Sequence, residues 1–350
     1  MTGARRSDPG TSTPASCLAY WVTSPGVGAL REEQLGDARL HESLVRAEYS
    51  AVSVGTERVV GLGLVPKSAA DAMACAHMAG SFDLPVKYGY SLVGEVVAGR
   101  DVGQRVHVMH PHQDWAVVDA RRVVVLPPSV PSARATLLPN VETALNAYLD
   151  AEVGDGSERA LIVGAGVVGL LVAFVLQAHG YRATLVDIDA GRRRFAENCG
   201  LAVDVVSQVE AGSFDVAFHT SATSAGLQTA IDALGFEGRV VELSWYGDRQ
   251  VSIALGASFH YERKRILATQ VAHVAKPVRA RMSHAQRMER VLALLADGAL
   301  DGVLAPAIDF SDLPALMQRV YDGSIEAGLP LVRYPRASDA AARERRQDGA

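Results

Sequence analysis

The segment from Arg159 to Asp187 (RALIVGAGVVGLLVAFVLQAHGYRATLVD) constrains the fold of this chain more than any other part of its sequence. An apolar strand-like run leads into a glycine-rich turn, an apolar stretch with helical spacing and a second strand-like run that ends in an acid. The turn follows the pattern G-x-G-x-x-G through Gly164, Gly166 and Gly169. Such glycines allow the tight turn, the approach of backbone to a pyrophosphate and the close packing of helix on strand, so the segment predicts a dinucleotide site.

The residue that ends the second run, Asp187, favours NAD over NADP. A carboxylate there accepts hydrogen bonds from the ribose hydroxyls and repels a 2′-phosphate, and the bulky Ile188 follows it. Three arginines at 192–194 argue in the other direction, because they could meet a phosphate or stack on adenine, although they also fit a solvated helix face. Later in the domain, His219, Thr220 and Ser221 end another strand, where cofactor-lining residues usually fall. The residues expected to bind NAD from this pattern are Gly164, Gly166, Val168, Gly169, Asp187, Arg192 and Ser221.

The remaining patterns divide the chain into a β-rich front, an α/β middle and a small mixed tail. Short Val-rich runs separated by Gly or Pro predict an antiparallel, barrel-like β domain first. Strands that alternate with helices then predict a parallel, doubly wound sheet, so the expected fold class is α/β. The expected divisions are a disordered N-terminus at 1–16, a catalytic domain at 17–143, an NAD-binding domain at 144–278, a return to the catalytic domain at 279–336 and a disordered tail at 337–350.

Charge and composition argue against several classes of protein. The chain has 34 Lys and Arg against 39 Asp and Glu, a net charge of −5, so we expect no basic surface for nucleic acid or for an anionic membrane. No apolar run reaches the roughly 18 residues of a membrane helix, and no signal-peptide pattern follows Arg5 and Arg6. Three widely separated cysteines argue against disulfides. The sequence therefore predicts a cytoplasmic protein whose partner is a small molecule.

The order of a β-rich domain, a nucleotide-binding domain and a short return resembles the medium-chain dehydrogenase/reductase family. The resemblance covers about 18–334 and rests on four motifs, VSVGTER (Val52–Arg58), GYSLVGEVV (Gly89–Val97), VGQRVHV (Val102–Val108) and LLPNVETALNAY (Leu137–Tyr148). It implies a GroES-like catalytic domain beside a Rossmann domain, an NAD-dependent oxidoreductase activity and a homodimer. By position in the family, Thr143 is expected near the nicotinamide.

The three zinc-ligand positions of the family's alcohol dehydrogenases are occupied in this chain by Val54, Tyr90 and Pro139. Valine and proline side chains cannot coordinate a metal, and tyrosine is a rare zinc ligand. The four-cysteine lobe that holds a structural zinc in those enzymes is also missing. We therefore expect neither a catalytic nor a structural zinc.

Two other sets of residues offer weaker alternatives for a metal site. They are His110 and His112 with Asp114 or Glu142, and the pair Cys75 and His77. The first set has two histidines in an irregular loop and lacks a clearly placed third ligand. The second pair lies in an Ala-rich stretch that is predicted to be helical, where residues two apart diverge.

Without zinc, another group has to exchange a proton with the substrate oxygen while hydride moves to or from nicotinamide. The motif without zinc ligands resembles a branch that includes the bacteriochlorophyllide 3-hydroxyethyl dehydrogenases, which oxidise a secondary alcohol. Tyr90 is expected to hydrogen-bond the substrate oxygen, Thr56 to relay a proton and His112 to act as acid or base. Each has a structural alternative: Thr56 as a helix cap, Tyr90 as a filler of the zinc position, and His112 as a surface loop residue. Glu57 and Glu142 could orient these groups, or form caps and ion pairs.

Three functions remain open on the sequence. A zinc-independent, NAD-dependent dehydrogenase or reductase that acts on a secondary alcohol or ketone of a small metabolite is favoured. An NADPH-dependent enoyl or quinone reductase of the same fold is the second, although those relatives usually carry N-P-x-D where this chain has Val54–Glu57. The third is a non-catalytic NAD-binding protein.

Overall fold

Three β-sheets organise the part of the chain, residues 14–154 and 157–335, that this computed structural model describes. The strands are β1 (Ser16–Ser24), β2 (Val27–Gln34), β3 (Glu42–Ala51), β4 (Ala79–Gly80), β5 (Val86–Lys87), β6 (Leu92–Ala98), β7 (Arg105–Val108), β8 (Trp115–Asp119), β9 (Val124–Val125), β10 (Ala160–Val163), β11 (Ala183–Val186), β12 (Val203–Asp204), β13 (Phe214–His219), β14 (Leu234–Glu242), β15 (Arg265–Ala268), β16 (Ile308–Asp309) and β17 (Leu331–Arg333). The helices are α1 (Val54–Gly61), α2 (Ala70–Met73), α3 (Ser132–Ala135), α4 (Leu138–Asp150), α5 (Val167–Ala178), α6 (Ala190–Asn198), α7 (Ser224–Ala233), α8 (Ser258–Tyr261), α9 (His284–Leu294) and α10 (Leu313–Asp322). Within those two ranges, no helix has the length and apolar character needed to cross a membrane.

Six parallel strands form one sheet in the order β12-β11-β10-β13-β14-β15. Every residue of β10 is buried, because helices cover both faces of the sheet. Ile162 joins the apolar core shared with α4 and α5, whereas Leu161 and Val163 join the core shared with α7. The chain runs outward from β10 to β12 and then returns to place β13 on the other side of β10. The switch point of the sheet, where ligands bind in such folds, therefore lies between β10 and β13.

The β-rich domain contains the other two sheets. One has the strand order β16-β17-β3-β6-β7-β9, with β8 also paired to β3, and the other has the order β2-β1-β5-β4. Most pairings in this domain are antiparallel, and inward-facing apolar residues such as Val45, Leu92 and Val106 are fully buried between them. The last strand, β17, pairs with β3 so that Leu331 lies opposite Ala51. The end of the described chain thus completes the first domain.

The return to the catalytic domain expected at 279–336 stays a prediction, and α9 lies near its start. Helix α9 packs against α4, and its Val291 shares one apolar core with Leu170 of α5. Leu300 and Val303, in the 3-10 turn that follows, belong to the same core. Phe310 and the buried residues of α10 belong to the apolar core of the β-rich domain. An amphipathic pattern locates the apolar face of α9 but does not indicate which domain covers that face.

Candidate active site

The glycine-rich turn joins β10 to α5, with Gly166 as the residue that precedes the first turn of the helix. Gly164 has a φ of +113°, and a Cβ atom there would lie 2.8 Å from Thr220 Oγ1 and 2.9 Å from Ser221 N. A Cβ atom on Gly169 would collide with the carbonyl oxygen of Gly164. At Gly166, in contrast, an added Cβ atom meets nothing within 4 Å. Two of the glycines are thus required by the protein's own packing, while the third faces open space.

That open space is a cleft of about 560 Å³ between the two domains. The nucleotide-binding domain contributes residues 165–168 and 220–223 to its walls, from the loops after β10 and β13. The β-rich domain contributes residues 53–55 at the start of α1 and residues 325–329 before β17. The free N–H groups of the first turn of α5 face the same region and favour a negatively charged group there. A cleft of this size at the switch point of a parallel sheet fits an extended, phosphate-bearing ligand.

Asp187 follows β11 and is almost fully buried behind the glycine loop. Its Oδ2 accepts a hydrogen bond from Ala165 N at 2.7 Å, and its Oδ1 accepts one from Asp189 N at 2.8 Å. Each oxygen keeps a further lone pair for a ribose hydroxyl. Of the nearby arginines, Arg192 lines the cleft with its Nη1 4.0 Å from Asp187 Oδ2, whereas Arg193 donates to the backbone carbonyl of Asp187. Of the three arginines, Arg192 is the one that lines the cleft.

The structure brings half of the expected cofactor residues onto the cleft wall. Gly166, Val168, Arg192 and Ser221 line it directly. The expected residue Thr143 does not, because its hydroxyl donates within α4 to the carbonyl of Pro139 at 2.9 Å. Asn140, one turn earlier on the same helix, lines the cleft instead. Thr143 was expected near the nicotinamide only by its position in the family, which does not specify which side of α4 faces the cleft.

Two of the three expected catalytic residues contact each other. The Tyr90 hydroxyl donates to Thr56 Oγ1 at 3.3 Å. Thr56 lies inside the first turn of α1 and does not cap it, since the capping position belongs to Ser53. Burial, together with the nearby carboxylate of Glu57, raises the pKa of the Tyr90 phenol well above its usual value. The phenol is therefore a hydrogen-bond donor at neutral pH and not a base.

The third expected catalytic residue, His112, is fully enclosed and is not a surface loop residue. Its Nε2 lies 3.0 Å from Glu57 Oε2, and its Nδ1 lies 2.8 Å from Ser50 Oγ, which in turn contacts the hydroxyl of Tyr334. The second carboxylate oxygen of Glu57 accepts a hydrogen bond from Ser53 N at 2.8 Å. Both ring nitrogens are thus engaged inside the β-rich domain, and the group ties the start of α1 to the sheet behind it.

The residues at the three zinc-ligand positions do not fit zinc. Val54 lines the cleft with an aliphatic side chain, and Pro139 is buried in the first turn of α4. The Tyr90 hydroxyl donates a hydrogen bond to Thr56. Within residues 14–154 and 157–335, no three His, Cys, Asp or Glu side chains are grouped so that they could hold a metal ion.

The weaker alternatives are also accounted for by other contacts. Glu142 forms an ion pair with Arg287 at 2.9 Å. An ion pair was one of the roles that the sequence predicted for Glu142. His110 is buried with Nδ1 2.9 Å from the carbonyl of Pro111, and its ring packs on that of His77. The prediction of a helix around Cys75 and His77 is wrong, because α2 ends at Met73 and His77 has a φ of +61°.

A second polar group lies at the carboxyl ends of β13 and β14. The sequence predicted His219 and Ser221 at the end of a strand but missed their pairing with Glu242. His219 and Glu242 end these two parallel strands and lie opposite each other in the register. His219 Nδ1 is 2.8 Å from Glu242 Oε2, and His219 Nε2 is 2.8 Å from the Ser221 hydroxyl on the cleft wall. Aligning the ends of successive predicted strands could have found this pair, since the carboxyl ends of parallel strands meet at one edge of the sheet.

Comparison with curated proteins gives partial matches to dehydrogenases. No protein-family model matches the chain. An (R,R)-butanediol dehydrogenase of Neisseria gonorrhoeae is 31% identical over 130 residues, which cover 33% of this chain and 36% of that protein. The uncharacterized zinc-type alcohol dehydrogenase-like protein YphC of Escherichia coli is 24% identical over 173 residues, 46% of this chain and 48% of that protein. The matches thus span less than half the length of these relatives.

Solved structures match over nearly the whole chain. The 2R,3R-butanediol dehydrogenase of Bacillus subtilis has a TM-score of 0.72 at 18% identity, covering 92% of this chain and 100% of that one. An acetophenone reductase of Geotrichum candidum in complex with NAD has a TM-score of 0.72 at 17% identity, covering 92% and 98%. A dehydrogenase of Sinorhizobium meliloti bound to NADP has a TM-score of 0.71 at 19% identity, covering 91% and 100%.

These comparisons define an alcohol dehydrogenase-like fold, and the expected combination of a β-rich domain with a Rossmann sheet is confirmed. The curated relatives named above are a butanediol dehydrogenase and a zinc-type alcohol dehydrogenase-like protein. Membership of a zinc-lacking branch, and the resemblance to bacteriochlorophyllide dehydrogenases, stay predictions.

Proposed function

We propose that this chain is a zinc-independent, NAD-dependent dehydrogenase or reductase that interconverts a secondary alcohol and the ketone of a small metabolite. The observation that carries the proposal is Gly166, whose open side faces the cleft at the N-terminus of α5 while its two companion glycines are packed against protein. A glycine that leaves the turn open toward the cleft lets the backbone approach a pyrophosphate, as dinucleotide binding requires.

Three parts of the nucleotide-binding domain would hold the dinucleotide. The backbone of Gly166 and Val168 would bind the pyrophosphate, Asp187 the ribose hydroxyls of the adenosine half, and the backbone of residues 220–223 the nicotinamide half on the β13 side of the switch point. When bound, NAD accepts or supplies a hydride at the nicotinamide ring. NADP is the second candidate, and the observation that favours it is the partly exposed Arg192 on the cleft wall.

The zinc-free part of the proposal rests on the chemistry of the side chains at the ligand positions. Val54 and Pro139 have no lone pair to donate, so zinc would have to bind through Tyr90 without the usual partners. In its absence, side chains have to bind the substrate oxygen and move the proton. The Tyr90 hydroxyl donates a hydrogen bond to Thr56 at the start of α1. We assign to this hydroxyl the binding of the substrate oxygen. His112 does not contact the substrate in this proposal. It holds the start of α1 in position through its hydrogen bond with Glu57.

The substrate is proposed to be a small secondary alcohol or ketone with apolar neighbours to the reacting carbon. Leu62, Leu64, Trp245 and Ile325 give the cleft an apolar wall beside the nicotinamide half. The named activities of the relatives, a butanediol dehydrogenase among them, suggest vicinal diols and hydroxyketones as the first compounds to test. The homodimer and the cytoplasmic location stay predictions from the sequence.

Two measurements on the purified chain test the cofactor and the metal. Titration with NADH and NADPH, followed by nicotinamide fluorescence, should give tighter binding of NADH, and Gly166→Ala should weaken it. Tighter binding of NADPH would favour the second candidate, and Arg192→Ala should then reverse the preference.

Elemental analysis should give substoichiometric zinc, and activity should survive a chelator. One zinc per chain, with activity lost on chelation, would contradict the zinc-free mechanism.

Turnover is tested with racemic 2,3-butanediol and NAD⁺ in one direction and with acetoin and NADH in the other. A primary kinetic isotope effect with alcohol deuterated at the carbinol carbon would identify hydride transfer. Reduction of an enoyl or quinone substrate, without any oxidation of the alcohols, would instead favour an enoyl or quinone reductase.

A further inference from the structure

The strand ends beside the cleft carry a chain of three polar side chains, Ser221, His219 and Glu242. The Ser221 hydroxyl is 2.8 Å from His219 Nε2, and His219 Nδ1 is 2.8 Å and 3.0 Å from the two oxygens of Glu242. The His219 side chain is completely buried, while Ser221 lines the cleft. The geometry is that of a hydroxyl, an imidazole and a carboxylate in series, with only the hydroxyl open to a ligand.

The direction of these hydrogen bonds follows from the chemistry of Glu242. Its carboxylate is an acceptor only, and it is fixed by the Ser244 N–H at 2.7 Å and by the Tyr246 hydroxyl at 3.1 Å. His219 therefore carries its proton on Nδ1, where it donates to Glu242. The lone pair is then on Nε2, which accepts the hydrogen bond from Ser221. An oriented imidazole that accepts from a hydroxyl is the arrangement that lets the hydroxyl give up its proton.

Ser221 is held at the cleft by two close contacts with glycine. Its backbone packs against Gly164, where an added Cβ atom would come within 2.9 Å of Ser221 N. Its hydroxyl packs against Gly226 of α7, where an added Cβ atom would collide with the oxygen and lie 3.0 Å from His219 Nε2. Ser221 thus lies next to the dinucleotide loop, on the β13 side of the switch point. In doubly wound folds this is the side of the second mononucleotide, which here is the nicotinamide half.

A second Ser–His–Glu group in the same chain makes a useful contrast. Ser50, His112 and Glu57 have similar spacings, but all three side chains are buried in the β-rich domain, and none of them lines the cleft. Tyr90 stays protonated and so can donate a hydrogen bond without receiving a proton. The group that joins a cleft-facing hydroxyl to a basic nitrogen is therefore the one that ends in Ser221.

We propose that Ser221, His219 and Glu242 form the proton relay of the hydride-transfer reaction, a proposal that rests on the proposed dehydrogenase function. In alcohol oxidation the substrate O–H bond breaks and its proton passes to Ser221 Oγ, while the Ser221 proton passes to His219 Nε2. The carbinol C–H bond breaks at the same stage, and its hydride is accepted by the nicotinamide of NAD⁺. The products are a ketone, NADH and one proton, which is held on His219 beside Glu242 and released to solvent. Ketone reduction is the reverse.

In this scheme Ser221 is the catalytic residue, because its hydroxyl touches the reacting oxygen, and His219 and Glu242 are positioning and proton-accepting residues behind it. Ser221→Ala and His219→Gln should each lower kcat for 2,3-butanediol oxidation by about 10² to 10⁴-fold, the usual range for the loss of acid–base catalysis. The Kd of NADH should stay within about threefold. Glu242→Gln should lower kcat less, and Glu242→Asp should restore part of it. His260→Gln, which changes an exposed histidine, is the matched control.

The outcomes separate the relay from the function that it serves. If the wild-type protein has no NAD-linked turnover with alcohols or ketones, the proposed function fails and the relay fails with it. If the wild type is active and Ser221→Ala and His219→Gln keep its kcat, the relay alone is overturned. A raised KM for NAD⁺ at unchanged kcat would overturn it in the same way, because it would identify Ser221 as a cofactor contact.

A measurement that needs no substrate checks the direction of the hydrogen bonds. In protein labelled with ¹⁵N-histidine, the His219 signal, assigned by its loss in His219→Gln, should have the chemical shifts of the Nδ1–H tautomer. Glu242→Gln should move that signal toward a mixture of tautomers, because an amide can donate as well as accept. An Nε2–H tautomer in the wild-type protein would overturn the relay even if the enzyme is active.

Discussion

At the scale of single residues, the three glycines of the turn have different surroundings, so substitutions at them should have different effects on stability and on cofactor binding. Gly166→Ala adds a methyl group where no protein atom lies within 4 Å, so the midpoint of thermal unfolding should change little. The affinity for NADH should fall by about tenfold or more, because the methyl group occupies the space where the pyrophosphate would approach the backbone. Fluorescence titration and a thermal unfolding curve of the same sample measure both effects.

Gly169→Ala is the matched comparison for that prediction. Its methyl group would collide with the carbonyl oxygen of Gly164, so α5 would have to shift away from β10. We expect a loss of about 1–3 kcal/mol in the free energy of unfolding, the usual range for overpacking. If the two variants lost the same stability and the same affinity, the distinction between a ligand-facing and a packing glycine would not hold.

At the scale of helices and strands, Arg287 predicts how firmly α9 is attached. The guanidinium is fully buried and bonds to Glu142 and Asn146 of α4 and to the backbone carbonyls of Val271 and His273. Arg287→Met would leave these acceptors unpaired in the interior, so we expect a loss of about 3–5 kcal/mol in the free energy of unfolding. Urea denaturation measures it.

Arg290→Met is the control for that prediction, because Arg290 lies on the exposed face of the same helix. Its free energy of unfolding should stay within about 0.5 kcal/mol of the wild-type value. Equal losses in the two variants would mean that Arg287 does not hold α9 in place.

The approach of α7 to the strand ends leads to a prediction about activity. Gly226 is the point at which this helix touches the Ser221 hydroxyl, and a methyl group there would displace that hydroxyl from His219. Gly226→Ala should therefore lower kcat at least tenfold while NADH binding changes by less than about threefold, if Ser221 carries the proton. Ala225→Ser, an exposed neighbour on the same helix, should behave as wild type in the same assay. Full activity in Gly226→Ala would argue against the relay.

The elements that sequence patterns predicted well are those whose evidence is local. The strand, turn and helix around Gly164 follow from consecutive residues, and the Rossmann sheet was predictable from them. The pairing of His219 with Glu242 depends on the register of β13 with β14, which an apolar run does not specify. The enclosure of His112 depends on where the loop after β7 folds. Catalytic residues from separate elements were therefore harder to predict than the cofactor loop.

At the scale of the whole molecule, buried neutral histidines should make the fold sensitive to acid. His107 in β7 and His110 after it are buried, and burial lowers the pKa of each to about 3. In the unfolded chain both titrate near the ordinary value of about 6.5. Below that pH the unfolded chain takes up protons that the folded protein does not. Stability is therefore complete above about pH 6.5 and falls as the pH is lowered toward 3.

The expected loss between pH 7.5 and pH 5 is about 2 kcal/mol for each of the two histidines, or about 4 kcal/mol together. Urea unfolding at pH 7.5, 6 and 5 measures it. His107→Gln should be less stable at pH 7.5, because His107 packs in the sheet beside Ser91, yet its loss on acidification should be about 2 kcal/mol smaller. His284→Gln, at an exposed position, should keep the full loss. An unchanged pH dependence in His107→Gln would mean that acid destabilises the fold through other groups, such as its paired carboxylates.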